Sequence, residues 1–257
     1  LIIAVDPDAD RCALAVPDPA SETGWSPLSG DQIGSLLGEF LASRGMKGSL
    51  ANSIVSSRLL SRIAHAHGLE HHTTLTGFKW IARAPGLGFG YEEAIGFCPD
   101  PAHVRDKDGI ATSVVAASLV AALKAQGCSV WDELERLARL HGLHVSSPLT
   151  FRVEEIEQIA SGMARLRAQP PSVLAGSPVV EVSDLSQGYR GLPPTDGVLV
   201  LTEAGDRVIA RPSGTEPKLK CYLEVILPVA EGEPLPWEQA RERLDSIKGA
   251  FAEIIGL

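Results

Sequence analysis

The stretch Leu50-Ala51-Asn52-Ser53-Ile54-Val55 runs into a segment, residues 58–67, closed by Gly68, and then into His71-His72-Thr73-Thr74-Leu75. The first and last pieces are short runs with strand character. The middle carries apolar residues at helical spacing and stops at a glycine. Strand and helix therefore alternate, which predicts a parallel α/β domain. Upstream, Ser29-Gly30-Asp31 predicts the cap of a helix reaching Ala42, with Ile33, Leu36, Leu37, Phe40 and Leu41 on its apolar face. Downstream, the Ala-, Val- and Leu-rich residues 110–124 predict a buried helix, with Asp106 and Asp108 at its positive end. Residues 131–140 predict a second helix, ending before Gly142, where the domain closes.

On either side the texture changes. Leu1-Ile2-Ile3-Ala4-Val5 and residues 12–16 read as two short strands, the second broken by Pro17-Asp18-Pro19. After Pro148 come a helix over about 154–167, a Pro-rich turn, short strands at 179–182, 197–202, 207–210 and 220–227, and a last helix from Trp237 to about Ile255. The expected fold class is α/β in three pieces. Residues 1–28 form the end of a preceding α/β domain, 29–145 a complete three-layer α/β domain with a mainly parallel sheet, and 146–257 a smaller α+β domain.

At 257 residues the chain can bury about two cores. A net charge of −9 argues against nucleic acid, whose phosphates need clustered Lys and Arg. Four cysteines, at 12, 98, 128 and 221, show neither C-x-x-C spacing nor a disulfide framework, so a reducing cytoplasm is the expected setting. There is no run of 18 apolar residues and no basic leader, so no membrane partner is expected. The opening strand has no partner strand before it, which predicts that the chain is part of something longer, with N-terminal domains missing here.

Asp6-Pro7-Asp8-Ala9-Asp10-Arg11 leaves the first strand with three carboxylates at every second position. Such a loop can close on one hard cation such as Mg²⁺, with Arg11 beside it as a planar phosphate donor. Arg211-Pro212-Ser213-Gly214-Thr215-Glu216-Pro217-Lys218, between two strand-like runs, offers two cations, two hydroxyls and a glycine for a phosphate cradle. Taken singly, a solvated acidic turn and a Pro/Gly hairpin would read the same. Between them lie Gly90-Tyr91-Glu92-Glu93-Ala94-Ile95-Gly96, whose carboxylates can accept bonds from vicinal hydroxyls, and Arg105-Asp106-Lys107-Asp108-Gly109.

These four motifs, in this order, together with Thr76-Gly77-Phe78-Lys79-Trp80-Ile81, resemble the α-D-phosphohexomutase superfamily of phosphoglucomutases, phosphomannomutases and related phosphopentomutases. The resemblance covers nearly the whole chain and is weakest between about 142 and 194. It implies a phosphotransfer isomerase that interconverts a sugar 1-phosphate with its 5- or 6-phosphate through a phosphoserine and a bisphosphorylated sugar, the latter also serving as activator. Asp6, Asp8 and Asp10 would hold Mg²⁺ and Arg11 would touch the reacting phosphate. Lys107 would act as acid/base or neutralise charge. Arg105 would reach phosphate, Lys79, Glu92 and Glu93 would meet the sugar, and Arg211, Ser213, Gly214, Thr215 and Lys218 would grip the distant phosphate. Family members carry the phosphoserine in a first domain, and no matching Ser-His-Asn-Pro-like stretch occurs here, so this chain by itself is expected to be inactive. Ala94 stands where hexomutases commonly have Ser, and Tyr-Glu-Glu-Ala-Ile-Gly is closer to the phosphopentomutase subgroup.

Ser56 and Ser57 read as caps of the following helix rather than nucleophiles. His65 and His67 sit two residues apart on a helix and do not share a face, so no metal site is expected of them. Two rivals stand beside the mutase: a phosphosugar-binding module without catalysis, and a Mg²⁺-dependent phosphatase using the Asp loop.

Overall fold

The computed structural model describes residues 1–213 and 216–256. Two compact units divide the chain, Leu1–His141 and Gly142–Leu257.

In the first unit, β1 (Ile2–Val5), β2 (Cys12–Pro17) and β3 (Trp25–Pro27) make an antiparallel sheet, with Val5 opposite Cys12 across the Asp loop. Next come α1 (Gly30–Ser43), β4 (Ser49–Ser53), α2 (Leu59–Ala66), β5 (His71–Thr74), the single turn α3 (Phe78–Ile81), β6 (Leu87–Glu92), β7 (Gly96–Cys98), α4 (Gly109–Ala125) and α5 (Val130–His141). The second sheet has the order β5-β4-β6-β7. Its first three strands are parallel and β7 returns antiparallel, so the sheet is mixed and mainly parallel.

Local signals explain where α1 and α4 begin. Ser29 caps α1 in a reciprocal box with Gln32, and Asp108 caps α4 by accepting from the Ala111 N–H at 2.8 Å. One core joins both sheets: Cys12, Leu14 and Val16 of β2 are buried with Ile33, Leu36 and Leu37 of α1 and with Phe89, Tyr91 and Phe97. Each fully buried side chain of this size contributes about 1.5–3 kcal/mol.

Helix α4 departs from expectation. It is not buried all round: Thr112, Ala116, Leu119 and Leu123 face the core, whereas Ile110 is 66% and Val114 64% exposed. Its apolar residues surround the axis instead of forming a stripe, so composition alone could not show which side was covered.

The second unit is an antiparallel sheet of order β8-β13-β12-β11-β10-β9, made of β8 (Leu143–Arg152), β9 (Val173–Leu174), β10 (Ser177–Asp184), β11 (Val198–Thr202), β12 (Arg207–Pro212) and β13 (Lys218–Leu227). Helices α6 (Ile156–Ala168) and α7 (Trp237–Ile255) pack on it through Ile159, Met163 and Leu166 and through Leu244, Ile247 and Phe251. Strand β8 has no clear strand signal in the sequence, because Ser146-Ser147-Pro148 sits at its middle. It is tolerated at the sheet edge, where β8 has β13 as its one neighbour among the described strands of the sheet and Pro148 lies opposite Tyr222.

Candidate active site

The Asp loop spans the β1–β2 hairpin. Its turn is closed by the Ala9 N–H donating to the Asp6 carbonyl at 2.9 Å, with Ala9 at φ +58°. Asp6, Asp8 and Asp10 each present a carboxylate oxygen within 4.8 Å of the others. Asp6 Oδ1 accepts from the Arg11 backbone N–H at 3.0 Å, and this bond, aided by the Arg11 guanidinium 3.4 Å from Oδ2, holds the Asp6 carboxyl below its usual range.

Two further loops close on this one. The Cys12 N–H donates to the Ile95 carbonyl at 3.1 Å, which brings up the turn of the β6–β7 hairpin. The Gly109 N–H donates to the Ala9 carbonyl at 3.0 Å and Asp108 N–H to the Phe97 carbonyl at 2.8 Å, which fixes the start of α4 against both. Gly109 is required here, because a Cβ would stand 2.6 Å from the Arg11 carbonyl oxygen and 2.7 Å from that of Ala9.

Lys107, just ahead of α4, reaches Asp10: Nζ lies 2.7 Å from Oδ2. The Asp10 carboxylate pushes the Lys107 pKa up, with burial opposing. The other oxygen of Asp10 is buried without a hydrogen-bond partner. Glu92, at the end of β6, sits in the field of Lys107 and Arg11. Burial nevertheless raises its pKa, because desolvation outweighs the two cations. The sequence motifs at 6–11, 92 and 107 thus meet at one place.

Glu93, expected at the sugar with Glu92, has other partners. Glu93 turns to Ser53 and Ser56, whose hydroxyls donate to its Oε2 at 3.1 Å each. The N-cap position of α2 is taken by Arg58 with no side-chain cap bond, so neither serine stands there, although the Ser57 hydroxyl accepts from the Leu59 N–H at 3.1 Å. Arg105 is exposed. So is Lys79, whose amine lies 5.8 Å over the half-buried ring of Trp80. His67 binds Glu39 at 2.9 Å and His71 binds Asn52 at 3.0 Å.

The donor set fits Mg²⁺. All three carboxylates offer hard oxygens within 4.8 Å of one another, and the Asp10 Oδ1 atom has no hydrogen-bond partner among the described residues.

In the second unit the motif expected to bind phosphate lies at the β12–β13 hairpin. Arg211 lies opposite Lys220, and the Ser213 N–H donates to the Lys218 carbonyl at 2.8 Å. Lys218 pairs with Glu216, whose carboxyl falls below its usual range through Lys218 first and then through Arg152 and Lys220. Arg152 of β8, opposite Lys218, went unnoticed in the sequence because β8 did. Gly214 and Thr215 lie outside the described residues.

Similarity to known proteins follows the same division. "Phosphoglucomutase/phosphomannomutase, alpha/beta/alpha domain III" matches residues 29–139, and "Phosphoglucomutase/phosphomannomutase, C-terminal domain" matches residues 150–252. A "Probable phosphomannomutase" of Haemophilus influenzae is 44% identical over 87% of this chain and 45% of its own length. A phosphopentomutase of Mus musculus is 30% identical over 98% of this chain and 45% of its own, and a Staphylococcus aureus phosphoglucomutase 32% over 89% and 45%. Among solved structures, the Paramecium phosphoglucomutase pp63/parafusin in its open form superposes with a TM-score of 0.70 at 19% identity, over 99% of this chain and 46% of that one. The chain spans about half the length of these relatives.

Proposed function

Because the chain belongs to the α-D-phosphohexomutase superfamily and carries its phosphoglucomutase/phosphomannomutase domains III and IV, we infer that it supplies the metal, sugar and distal-phosphate sites of a phosphosugar mutase. In this reading a phosphoserine, borne outside these residues, gives its phosphoryl group to a sugar monophosphate. The Ser–O–P bond breaks, a sugar–O–P bond forms, and the proton of the sugar hydroxyl passes in net to the serine oxygen. The bisphosphorylated sugar then turns over and returns its other phosphate to the serine.

Asp6, Asp8 and Asp10 hold Mg²⁺, which when bound neutralises charge on phosphoryl oxygens. Arg11 presents its guanidinium to the same phosphate. Lys107, an ammonium between Asp10 and Glu92, stabilises the charge spread over the transferring group and can give a proton to the departing oxygen. Glu92 accepts from sugar hydroxyls. Arg211, Ser213 and Lys218, with Gly214, Thr215 and the neighbouring Arg152, take the non-reacting phosphate. Residues 1–28 are read as the end of domain II, Arg105 and Lys79 as outer contacts with substrate, and the cytoplasm as the setting. Among the described residues no single helix is long and apolar enough to cross a membrane.

The observation that carries the reading is the 2.7 Å pairing of Lys107 with Asp10 inside a three-carboxylate loop. A module that merely binds a phosphosugar needs no ammonium poised against a metal ligand. A chimera tests this: the matched segment of the Haemophilus relative is replaced by this chain and assayed with mannose 1-phosphate, glucose 1-phosphate and ribose 1-phosphate plus a sugar bisphosphate. Turnover is expected from the chimera and background from the chain alone. A folded chimera that binds sugar phosphates without converting any would favour the binding module.

A further inference from the structure

Glu92 and Glu93 are consecutive, yet their carboxylates meet different surroundings. Glu92 lies among Lys107, Arg11 and Asp10. Glu93 is built into a buried polar network instead. Ser53 and Ser56, each about 1% exposed, donate to its Oε2 at 3.1 Å. The Ser56 hydroxyl also accepts from the Glu93 N–H at 3.2 Å, and the two hydroxyls stand 2.8 Å apart. Burial raises the Glu93 pKa and the two hydroxyls partly oppose it.

The same seam is fastened at two more points. The buried carboxylate of Asp31, in the first turn of α1, accepts from the Ser57 N–H at 2.7 Å and from the Tyr91 hydroxyl at 3.0 Å. Gly30 lets α1 approach the Glu93 carbonyl, since a Cβ there would stand 2.1 Å from that oxygen. The turn after β4, the start of α1 and the end of β6 are therefore tied together on both sides of Glu92. They lie at the carboxyl ends of the parallel strands, where α/β sheets hold their ligands. Burying a carboxylate is unfavourable unless its oxygens are satisfied, so its retention beside the sugar loop calls for a role.

We propose that Glu93 is a positioning residue: Ser53 and Ser56 hold it so that Glu92 alone of the pair is presented to the sugar hydroxyls. The proposal rests on the phosphosugar reading for the identity of the ligand, but the anchoring itself does not. A single carboxylate with two free oxygens can bridge two vicinal hydroxyls, so ring recognition on this loop falls to one side chain whose direction is fixed by buried hydroxyls.

Carbon-13 carboxyl NMR of the intact chain reads both glutamates while glucose 1-phosphate or ribose 1-phosphate is added. Sugar phosphate should shift the Glu92 resonance and leave Glu93 in place. Ser53→Ala/Ser56→Ala should move both resonances before any ligand is added. It should weaken sugar-phosphate binding about tenfold, roughly 1.4 kcal/mol, and leave inorganic phosphate affinity unchanged. Ser56→Thr, which keeps the hydroxyl, should behave as wild type. If the double variant does not fold, as judged by its amide spectrum, the two single alanine variants replace it. A sugar-phosphate shift of Glu93 as large as that of Glu92 would overturn the proposal, as would serine variants in which neither carboxyl moves. If neither glutamate responds to any sugar phosphate, the phosphosugar reading falls, while the serine variants still decide whether Glu93 anchors Glu92.

Discussion

Replacing Lys107 by Met removes the ammonium 2.7 Å from Asp10 Oδ2 while keeping most of the side-chain stem that crosses Gly96. The two side chains are 17% and 29% exposed, so the pair lies between a solvated bridge and a buried one. A charge-assisted hydrogen bond in that setting contributes about 1.5 kcal/mol net. A cation taken by the unpartnered Asp10 oxygen shares that carboxylate with Lys107 and bears the repulsion of its neighbouring positive charge. Lys107→Met should therefore tighten Mg²⁺ binding by about tenfold, even as it lowers turnover of the chimera by orders of magnitude. Calorimetric titration with Mg²⁺, or Mn²⁺ followed by paramagnetic resonance, reads the first effect, and the mutase assay reads the second. The opposite signs matter, because a variant that merely disordered the loop would lose both. Metal affinity equal to or below wild type in a folded Lys107→Met chain would show that Asp10 is not shared between Lys107 and the cation.

Gly109→Ala should destabilise the first unit by about 1–3 kcal/mol and weaken Mg²⁺ binding, since its Cβ meets two backbone carbonyls of the Asp loop; denaturant melts and metal titration check both. Arg211→Ala should weaken binding of glucose 1-phosphate roughly tenfold with folding intact, through loss of a charge-assisted contact, and calorimetry with unchanged affinity would make Arg211 only a hairpin residue. Burial lowers the His71 pKa to about 4, with His72 adding repulsion. The unfolded chain then binds more protons than the folded one below about 6.5, so stability is full above that pH and falls as pH drops toward 4, by up to about 3 kcal/mol. His71→Gln, which can still donate to Asn52, should flatten that slope in urea melts run from pH 7 to 4.5, and an unchanged slope would remove His71 as its source.

The strand–helix alternation from Leu50 to Leu75, the cap at Ser29 and the terminal helix Trp237–Ile255 were legible because each is written in local periodicity and local capping chemistry. The motifs at 6–11, 92, 107 and 211–218 could be singled out before any fold is known, since their residue types and order suggest a hard cation and two phosphates. Local pattern could not decide which contacts those residues make. Strand β8 exists because β13 offers it a ladder of partners, although its own middle reads as a break. Helix α4 leaves Ile110 and Val114 exposed because coverage depends on what packs against it, and a helix apolar on every side does not say. Glu92 and Glu93 look equivalent in the chain. Only tertiary structure separates them, since Ser53 and Ser56 reach Glu93 from about forty residues away and leave Glu92 beside Lys107. Sequence determines which chemical groups are present and which segments form strands and helices; through-space burial and pairing decide which of those groups face a ligand.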